Sequence, residues 1–266
     1  MSVPVERSSA EGPRALSHGR TNARVLELLM ERGVLPRGRV LDVGAGQGYF
    51  AELAGRYVQE QGAVDPATAL AACDPYPEQF AYTGIRCDRL VPGVPLPYAD
   101  SAFDAVVCIE VVEHVEDPFA LTRELFRVVK PGGRVFITTP NLLNINSRLR
   151  FLHSGFWLLF DPLSLSSTDA IHTSGHIHPI TFYYLAYALR RAGFRSVVPH
   201  FDRRKRSAMA LGILLGPLVA AMHAGAQRRW RRKLSALTLE ENAELLPHLN
   251  SVGMLTSRSV IVEAVR

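Results

Sequence analysis

Short apolar runs alternate with longer stretches of helical spacing along the first half of the chain. Val40–Val43 is an uninterrupted apolar run apart from one aspartate, and a run of this length is typical of a strand buried on both faces of a parallel sheet. The residues after it carry apolar side chains three and four positions apart, the spacing of one helix face. These side chains are Phe50, Leu53, Ala54 and Tyr57. The pattern predicts a strand, a turn and a helix over residues 40–61.

The same alternation continues to the end of the chain. Strand-like runs occupy residues 69–73, 84–87, 104–109, 134–138, 195–200 and 259–265, and helical patterns occupy 22–32, 118–129 and 181–192. Strands that alternate with helices in this way are typical of an α/β fold, in which helices cover a mainly parallel sheet. We therefore predict an α/β domain whose sheet is built around the strand at 40–43.

Three glycines occupy alternate positions in the turn between the first strand and its helix. Gly44, Gly46 and Gly48 can adopt positive φ and let a ligand approach the main chain. The start of the helix adds free N–H groups. A dinucleotide-binding loop would need its third glycine at position 49, which is a tyrosine, so that fingerprint is excluded. The loop is either the binding site of another ligand or a tight turn without one.

Acidic residues come after the next two predicted strands. Asp74 ends the second strand and Asp88 follows the third. Ligands of open α/β sheets bind beyond the carboxyl ends of the strands, where a carboxylate can accept hydrogen bonds from a ribose diol. Asp74 followed by proline is also a common surface turn, so the structural alternative stays open.

The glycine turn with its preceding Asp42 resembles motif I of the class I S-adenosylmethionine (SAM) methyltransferases. Residues 94–104 and 130–133 resemble the passages into strands four and five of the same family, in the same order. The resemblance covers roughly residues 22–140. It implies SAM as the cofactor and a Rossmann-like, doubly wound, seven-stranded sheet with an antiparallel last strand.

The resemblance also implies cofactor-binding roles for seven residues. In that family the loop curls under the amino-acid end of SAM, one carboxylate binds the ribose and another accepts from the adenine amino group. The matching positions are Asp42, Gly44, Gly46 and Gly48 in the loop, Asp74 for the ribose, Asp88 for the adenine, and Glu110 near the cofactor.

Two carboxylates and a histidine follow the fourth strand. On a helical turn Glu110, Glu113 and His114 would be three and four positions apart and would face one way. Such a set can hold a divalent cation such as Mg²⁺. A histidine-rich stretch lies downstream, where His176 and His178 would share one face of an extended chain. One of these two histidines is expected to complete the site.

The Glu-x-x-Glu-His pattern resembles two metal-using branches of the family. These are the ubiquinone-biosynthesis O-methyltransferases and the small-RNA 3′-terminal 2′-O-methyltransferases, and the resemblance implies Glu110, Glu113, His114 and His176 as metal ligands. The same residues also fit a site without metal, in which His114 lines the acceptor pocket or caps a helix. A hydroxyl acceptor gains from a base, and an imidazole titrates near neutral pH. We therefore predict His114 and Glu113 as catalytic residues.

Charge is distributed unevenly along this 266-residue chain. The net charge is +5, yet residues 203–233 contain nine Lys or Arg and no acidic residue. Together with a hydrophobic content of 47%, this predicts one methyltransferase domain (21–202 and 235–266) interrupted by a basic-flanked insertion (203–234). Residues 1–20 lack an apolar segment and predict a flexible lead-in. The three cysteines lie in apolar strands, which is typical of a reduced, cytoplasmic protein.

The insertion contains twenty uncharged residues, 207–226, between its two basic clusters. Strands six and seven should be neighbours, so both ends emerge on one side, and the clusters favour the cytoplasmic side. Gly216 and Pro217 predict a break and a helical hairpin that dips into one leaflet, with Trp230 at the interface. Packing on the core or in a dimer interface stays open, as does the oligomeric state. Nucleic acid is disfavoured, since an apolar segment does not suit a phosphate groove.

These observations predict a SAM-dependent O-methyltransferase in the cytoplasm, at the inner face of the cytoplasmic membrane. The expected acceptor is a lipid-linked glycan or a quinone-like lipid. RNA 2′-O-methylation is an alternative that would require the metal. A non-catalytic SAM-binding partner subunit is a further alternative, disfavoured because the predicted cofactor-binding residues are all present. The insertion is expected to leave and re-enter the sheet away from the glycine loop.

Overall fold

A computed structural model describes residues 12–15, 18–62, 65–166 and 175–266. The predicted lead-in (1–20) and the start of the histidine-rich stretch lie partly outside these ranges. Within them the predicted boundary at residue 20 falls inside the first helix, which begins at Gly19. The backbone N–H of Arg14 donates to the Gln47 side chain, so the described part of the lead-in contacts the glycine loop.

Seven strands form one sheet. They are β1 (Val40–Val43), β2 (Leu70–Asp74), β3 (Cys87–Arg89), β4 (Phe103–Ile109), β5 (Val129–Pro140), β6 (Ser196–Phe201) and β7 (Ser259–Val265). Their order is β3-β2-β1-β4-β5-β7-β6, and β1 to β5 are parallel. Strand β7 runs antiparallel to β5 and to β6. The predicted fold, a doubly wound seven-stranded sheet with an antiparallel last strand, is confirmed.

Nine α-helices are described. They are α1 (Gly19–Glu31), α2 (Tyr49–Glu60), α3 (Pro66–Ala69), α4 (Pro118–Val128), α5 (Ile145–Ser154), α6 (Phe182–Ala192), α7 (Arg206–Lys233), α8 (Ala236–Glu241) and α9 (Val252–Thr256). Short 3₁₀ turns cover Pro77–Gln79, Val112–His114 and Leu246–Asn250. The apolar faces of α1 and α2 pack on one side of the sheet and those of α4 and α6 on the other, which gives two core layers.

The edges of two strands differ from the prediction. Strand β5 begins at Val129 rather than residue 134, because Val129 pairs with Phe103 of β4 and the ladder resumes at Arg134 after a register shift that skips residues 130–133. The Lys130 amine bonds both carboxylate oxygens of Asp104 at 2.8 Å and fixes this shift. Strand β3 begins at Cys87, so Asp88 lies inside the strand rather than after it.

A buried carboxylate ties the first helix to the last strands. Glu263 on β7 is 3% exposed. Its two carboxylate oxygens accept hydrogen bonds of 2.9 Å from Nε and Nη2 of Arg32. Arg134 on β5 bonds the same carboxylate, and the Nε2 atom of His200 on β6 lies 2.7 Å from it. One acidic side chain therefore joins four elements.

The insertion is one helix and not a hairpin, so the predicted break at Gly216 and Pro217 is wrong. Helix α7 continues through Pro217 for 28 residues. A proline removes a single backbone hydrogen bond, and the intact turns on both sides continue the helix past it. Helix α7 is held against the body of the protein at Ser207, whose Oγ accepts from Asn146, and at His223, which lies 2.8 Å from the Asn250 amide.

Candidate active site

A cavity of about 1210 Å³ opens at the carboxyl edge of the parallel strands. Ligand pockets of proteins measure roughly 300–1,000 Å³, so this cavity has room for a cofactor together with an acceptor. Seven predicted site residues line it, namely Asp42, Gly44, Gly46, Asp74, Glu110, His114 and His176. Gly48 instead packs against the Phe80 ring, and the Asp88 carboxylate accepts a hydrogen bond of 3.0 Å from the Tyr98 hydroxyl.

The glycine loop depends on positive φ angles at all three glycines. Gly44, Gly46 and Gly48 have φ values of 74°, 54° and 86°. A Cβ on Gly44 would lie 2.4 Å from the Val111 side chain. The loop therefore requires glycine both for its backbone conformation and, at Gly44, for space.

Asp74 shapes the same loop from the end of β2. One carboxylate oxygen accepts from the Gly46 N–H at 2.8 Å and the other from the Tyr76 N–H at 2.9 Å. Each oxygen keeps a further lone pair, so the predicted ribose contact is compatible with these bonds. Asp74 thus stands at the predicted place and also holds the loop to the strand.

Asp42 supplies an unpaired acidic group beneath the loop. Among the described residues its Oδ2 atom is buried without a hydrogen-bond partner. Burial, and then the charge of Asp74, raise the pKa of Asp42 to about 8. SAM carries a positively charged sulfonium and an ammonium, and a cation bound in the cavity that Asp42 lines would favour the ionised form of this carboxyl. The residues present therefore fit SAM.

Glu110 does not share the turn of Glu113 and His114, contrary to the predicted three- and four-residue spacing. It ends β4 with a positive φ of 54°. Its N–H donates to the Thr138 hydroxyl at 2.9 Å, and that hydroxyl donates to Oε1 at 3.3 Å. The 3₁₀ turn starts only at Val112, so Glu110 lies apart from the cluster that follows. Burial raises the pKa of its carboxyl.

Glu113, His114 and His176 form a compact cluster. One potential metal-ligating atom from each lies within 4.8 Å of the others, whereas Glu110 is outside this group. The N–H of His178 donates to the backbone oxygen of Glu113 at 3.0 Å, which fixes the later segment against the turn. The structure therefore brings together three of the four predicted metal ligands.

The two imidazoles have the same protonation pattern. The Nδ1 atom of His114 lies 3.0 Å from the carbonyl oxygen of Gly175, and that of His176 lies 2.7 Å from the carbonyl oxygen of Leu159. A carbonyl only accepts, so each Nδ1 carries the hydrogen and each Nε2 keeps its lone pair. Burial lowers the pKa of both rings, and their proximity lowers that of His114 further. Both are neutral at pH 7.

Glu113 is the least satisfied polar group of the cluster. The side chain is fully buried, and neither carboxylate oxygen has a hydrogen-bond partner among the described residues. Burial, followed by the nearby Glu110, raises the pKa of Glu113 well above its ordinary value. A carboxyl without a partner among the described residues, clustered with two neutral imidazoles, fits a divalent cation. Two imidazoles favour a transition metal such as Mn²⁺, Fe²⁺ or Zn²⁺ over the expected Mg²⁺.

Several cavity residues were not predicted from the sequence. Arg14 and His18 come from the predicted lead-in, and Arg258 and Ser259 from the place where the insertion re-enters the sheet. The expectation that re-entry occurs away from the glycine loop is therefore wrong, because Arg258 and that loop line one cavity. The sequence predicted where β7 begins, but it did not predict that the residues just before β7 pair with the residues just after β6 at the edge of the cavity.

Comparison with known proteins places the chain among methyltransferases. A family model described as a methyltransferase domain matches residues 16–198. The ubiquinone biosynthesis O-methyltransferases of Xanthomonas campestris pv. campestris (strain B100) and Xanthomonas axonopodis pv. citri (strain 306) are 35% and 36% identical over 134 residues. That alignment covers 50% of this chain and 55% of each relative, so the chain spans about half the length of these curated relatives.

Solved structures agree in fold. A SAM-dependent methyltransferase from Archaeoglobus fulgidus superimposes with a TM-score of 0.50 and 18% identity over 92% of this chain and 94% of its own. A SAM-dependent methyltransferase from Thermotoga maritima gives a TM-score of 0.51 and 15% identity, with 92% and 90% covered. At these identities the likeness concerns the fold alone.

Proposed function

Because the chain belongs to the methyltransferase domain family and is a SAM-dependent methyltransferase, we propose that it methylates a hydroxyl oxygen of a lipid acceptor at a membrane surface. The observation that carries the hydroxyl assignment is His114, a neutral imidazole that lines the cavity with Nε2 unprotonated. The curated relatives with 35% identity are named as O-methyltransferases.

His114 acts as the general base in this proposal. A hydroxyl is a poor nucleophile, and removal of its proton as the bond to carbon forms makes the attack easier. The carbonyl of Gly175 fixes the tautomer and the ring orientation, so the lone pair of Nε2 receives the proton. His176 is held in the same tautomer by the carbonyl of Leu159. Its proximity lowers the pKa of His114 further and so favours the neutral form of that base.

The remaining site residues hold and orient the reactants. When bound, SAM supplies an electrophilic methyl group, and its transfer leaves S-adenosylhomocysteine. Gly44 and Gly46 shape the loop, Asp74 would accept hydrogen bonds from the ribose, and Asp42 would interact with the cationic end of SAM. Alignment of the reacting atoms supplies a large share of the rate in such a displacement.

The lipid assignment is supported by the outward face of α7. Its apolar side chains recur at helical spacing and remain exposed, namely Ile213 (81%), Leu214 (73%), Leu218 (59%) and Met222 (68%). Only Ala208 of this helix is buried, which argues against the alternative of packing on the core. Among the described residues α7 also has the length and composition of a membrane-crossing helix.

Contacts along α7 favour a helix that lies in the interface over one that crosses the bilayer. Ser207 and His223 both bond to the protein body, and the chain after the helix returns to the core at Leu245. Basic clusters flank the apolar face at both ends and complement anionic head groups, each charge near the surface contributing about 1 kcal/mol. An anionic bilayer is the partner that matches both the basic clusters and the apolar face of α7.

Vesicle binding tests the membrane assignment. Wild-type protein should float with phosphatidylglycerol-containing vesicles and bind neutral vesicles less, with partial release as salt rises. A variant with Ile213, Leu214 and Leu218 replaced by serine should stay in solution, whereas serine substitutions of exposed Leu163 and Leu165, outside α7, should change nothing. Dimerisation of the wild type through α7, without vesicle binding, would overturn the assignment in favour of an oligomer contact.

We further propose that Glu113, His114 and His176 hold a divalent transition metal. Such an ion would polarise the acceptor oxygen and lower the pKa of its hydroxyl. The supporting observation is the buried carboxyl of Glu113, which has no hydrogen-bond partner among the described residues and lies in one cluster, within 4.8 Å, with a ring nitrogen of each histidine. A metal-bound Nε2 of His114 could not also take the proton, so this proposal is an alternative to the metal-free function of His114 and is tested separately.

Metal binding can be measured without turnover. Addition of Mn²⁺ or Zn²⁺ to chelator-treated protein should raise Tm, and Glu113→Gln should abolish that rise. Glu116→Gln, a carboxyl outside the cluster, is the matched control and should behave as wild type. A wild-type Tm that no divalent ion shifts, with no metal found by elemental analysis, would remove the metal and leave the base.

Transfer of a labelled methyl group distinguishes the candidate functions. Purified protein, methyl-labelled SAM and separate lipid, glycan and RNA fractions should yield label in the lipid fraction. Label in RNA, together with metal dependence, would establish the alternative of RNA 2′-O-methylation. SAM binding without transfer to any fraction would support a non-catalytic subunit.

A further inference from the structure

Strands β6 and β7 remain paired beyond their ends, at the rim of the cavity. Arg204 bridges Ser257 in antiparallel fashion, the Arg258 N–H donates to the Arg203 oxygen at 3.1 Å, and the Lys205 N–H donates to the Thr256 oxygen at 2.9 Å. Residues directly opposite in such a pair project to the same face, and successive residues project to opposite faces. Arg203 and Arg258 therefore share a face, and Arg204 projects to the other.

One member of the shared face, Arg258, lines the cavity. Arg203 lies opposite Arg258, and Lys205, two positions after Arg203 in extended chain, projects to the same side. All three cations are partly buried, whereas Arg204 is exposed. We call Arg203, Lys205 and Arg258 the rim cluster.

The rim cluster has an excess of positive charge. Among the described residues none of its three side chains makes an ion pair or a side-chain hydrogen bond. Two carboxyls lie nearby. Asp202 is occupied by the Thr21 hydroxyl at 3.1 Å and the Ser259 N–H at 3.2 Å, and the Glu110 carboxylate accepts from the Thr138 hydroxyl at 3.3 Å. Arg20 adds a fourth cation beside Arg203.

Like charges held together in this way are unfavourable unless an anion joins them. Burial and the neighbouring Arg258 lower the pKa values of Arg203 and Lys205, the direction expected for repelling cations. Guanidinium groups bind phosphate through paired N–H donors, and an ammonium adds a point charge. A multiply charged phosphate group matches three cations better than a single carboxylate does.

We propose that Arg203, Lys205 and Arg258 form a subsite for a phosphate or diphosphate group of the acceptor. This inference rests on the proposed function, since it gives the chemical class of that acceptor. The cluster lies between the cavity and Arg206, where α7 begins. An acceptor with its hydroxyl at His114 and its phosphate on the rim cluster would have its apolar tail beside the membrane-facing helix.

Inorganic pyrophosphate is the probe of this subsite. Calorimetry is carried out on protein saturated with S-adenosylhomocysteine, whose own carboxylate then already occupies the cofactor site. The wild type should bind pyrophosphate under these conditions at low ionic strength. Arg258→Gln and Arg203→Gln should each weaken that binding about tenfold or more, as expected for loss of charge-assisted hydrogen bonds.

Arg204→Gln is the matched control, because it removes the same charge from the opposite face of the same segment. It should change pyrophosphate affinity by less than about threefold, since only screened long-range attraction is lost. Lys205→Gln, at the edge of the cluster, gives a second test should the substitution of a partly buried arginine impair folding. Circular dichroism checks the fold of each variant.

Three results would overturn the inference. The first is a wild type that does not bind pyrophosphate, and the second is an Arg204→Gln variant that weakens binding as much as Arg258→Gln. The third is competition between pyrophosphate and S-adenosylhomocysteine with a matching loss of cofactor affinity in Arg258→Gln, which would assign the cluster to the cofactor carboxylate. Because no turnover is measured, failure of the proposed function appears separately, as absence of methyl transfer.

Discussion

The imidazole rings of His114 and His176 lie 4.9 Å apart between centroids and meet nearly edge to face. One comes from the 3₁₀ turn after β4 and the other from the segment before α6, and each donates its Nδ1 hydrogen to a backbone carbonyl. The fold thus places two imidazoles, each with an unprotonated Nε2, among the residues that line the cavity. We propose His114 as the base of the site.

The pH dependence of methyl transfer should follow His114. Burial and then His176 lower its pKa from the ordinary value of 6.5, so the neutral base persists below that pH. Activity should therefore be level through neutral pH and decline only below 6.5. His114→Gln should lose at least about a hundredfold in rate, a typical contribution of general-base catalysis, and keep its SAM affinity. A decline of activity that already begins above pH 6.5 as the pH is lowered would contradict the assignment of His114 as the base.

Asp74→Asn should weaken SAM binding by about 1.5–3 kcal/mol, measured by calorimetry. The substitution removes a charged acceptor for the ribose and one of the two bonds that hold Gly46 and Tyr76. Asp100→Asn, an exposed carboxylate paired with Arg127, is the control and should bind SAM as wild type does. Equal SAM affinity in Asp74→Asn and wild type would exclude the ribose role.

Gly44→Ala should abolish SAM binding. The new methyl group would meet Val111 at 2.4 Å, and alanine is strained at a φ of 74°. Gly62→Ala has nearly the same φ, 68°, but its methyl would meet no atom of the described residues within 4 Å, so it should cost only about 1 kcal/mol of stability and leave SAM affinity intact. A Gly44→Ala protein with normal cofactor affinity would mean that the loop is not the binding site.

The Glu263 network should make stability sensitive to acid. Burial alone would raise the pKa of Glu263, but the bonds from His200 and Arg32 outweigh it and lower the value from 4.5 to about 2. The stabilisation is therefore full above pH 4.5 and is lost as pH falls towards 2. Glu263→Gln should cost roughly 3 kcal/mol near neutral pH in urea unfolding and should flatten the acid dependence.

Glu27→Gln is the control for that experiment, because its pair with Arg24 is exposed to solvent and should contribute little. Identical urea midpoints for Glu263→Gln and wild type would show that the four-element network does not stabilise the fold.

Strands buried on both faces were the best predicted parts of the fold. Strands β1 and β7 begin and end where the sequence indicated, because their apolar runs are bounded by polar residues on each side. The start of β5 was missed since the Pro-Gly-Gly segment has the composition of a turn and the ladder skips it, while Val129 before it still pairs with β4. The predicted break in α7 was wrong because glycine and proline indicate only a local preference, whereas the helical turns on both sides of Pro217 continue the helix.

The site was predictable where it depends on local sequence. The loop glycines and Asp74 are next to their strands, so their positions followed from the strand assignments. Glu110 departs from the predicted turn because its positive φ redirects the chain, a property that a glutamate does not signal. Arg258 reaches the cavity only through the pairing of β7 with the extension of β6, a long-range contact that a single sequence does not specify.

The central claim is that a methyl group moves from SAM to an oxygen of a lipid held at the membrane. The most direct measurement incubates purified protein with trideuteromethyl-labelled SAM and vesicles of host lipids, and then identifies the labelled lipid by mass spectrometry. We expect a trideuteromethyl ether in the lipid phase that is absent with His114→Gln. A label on nitrogen or carbon, a label confined to water-soluble molecules, or no transfer by protein that binds SAM would contradict it.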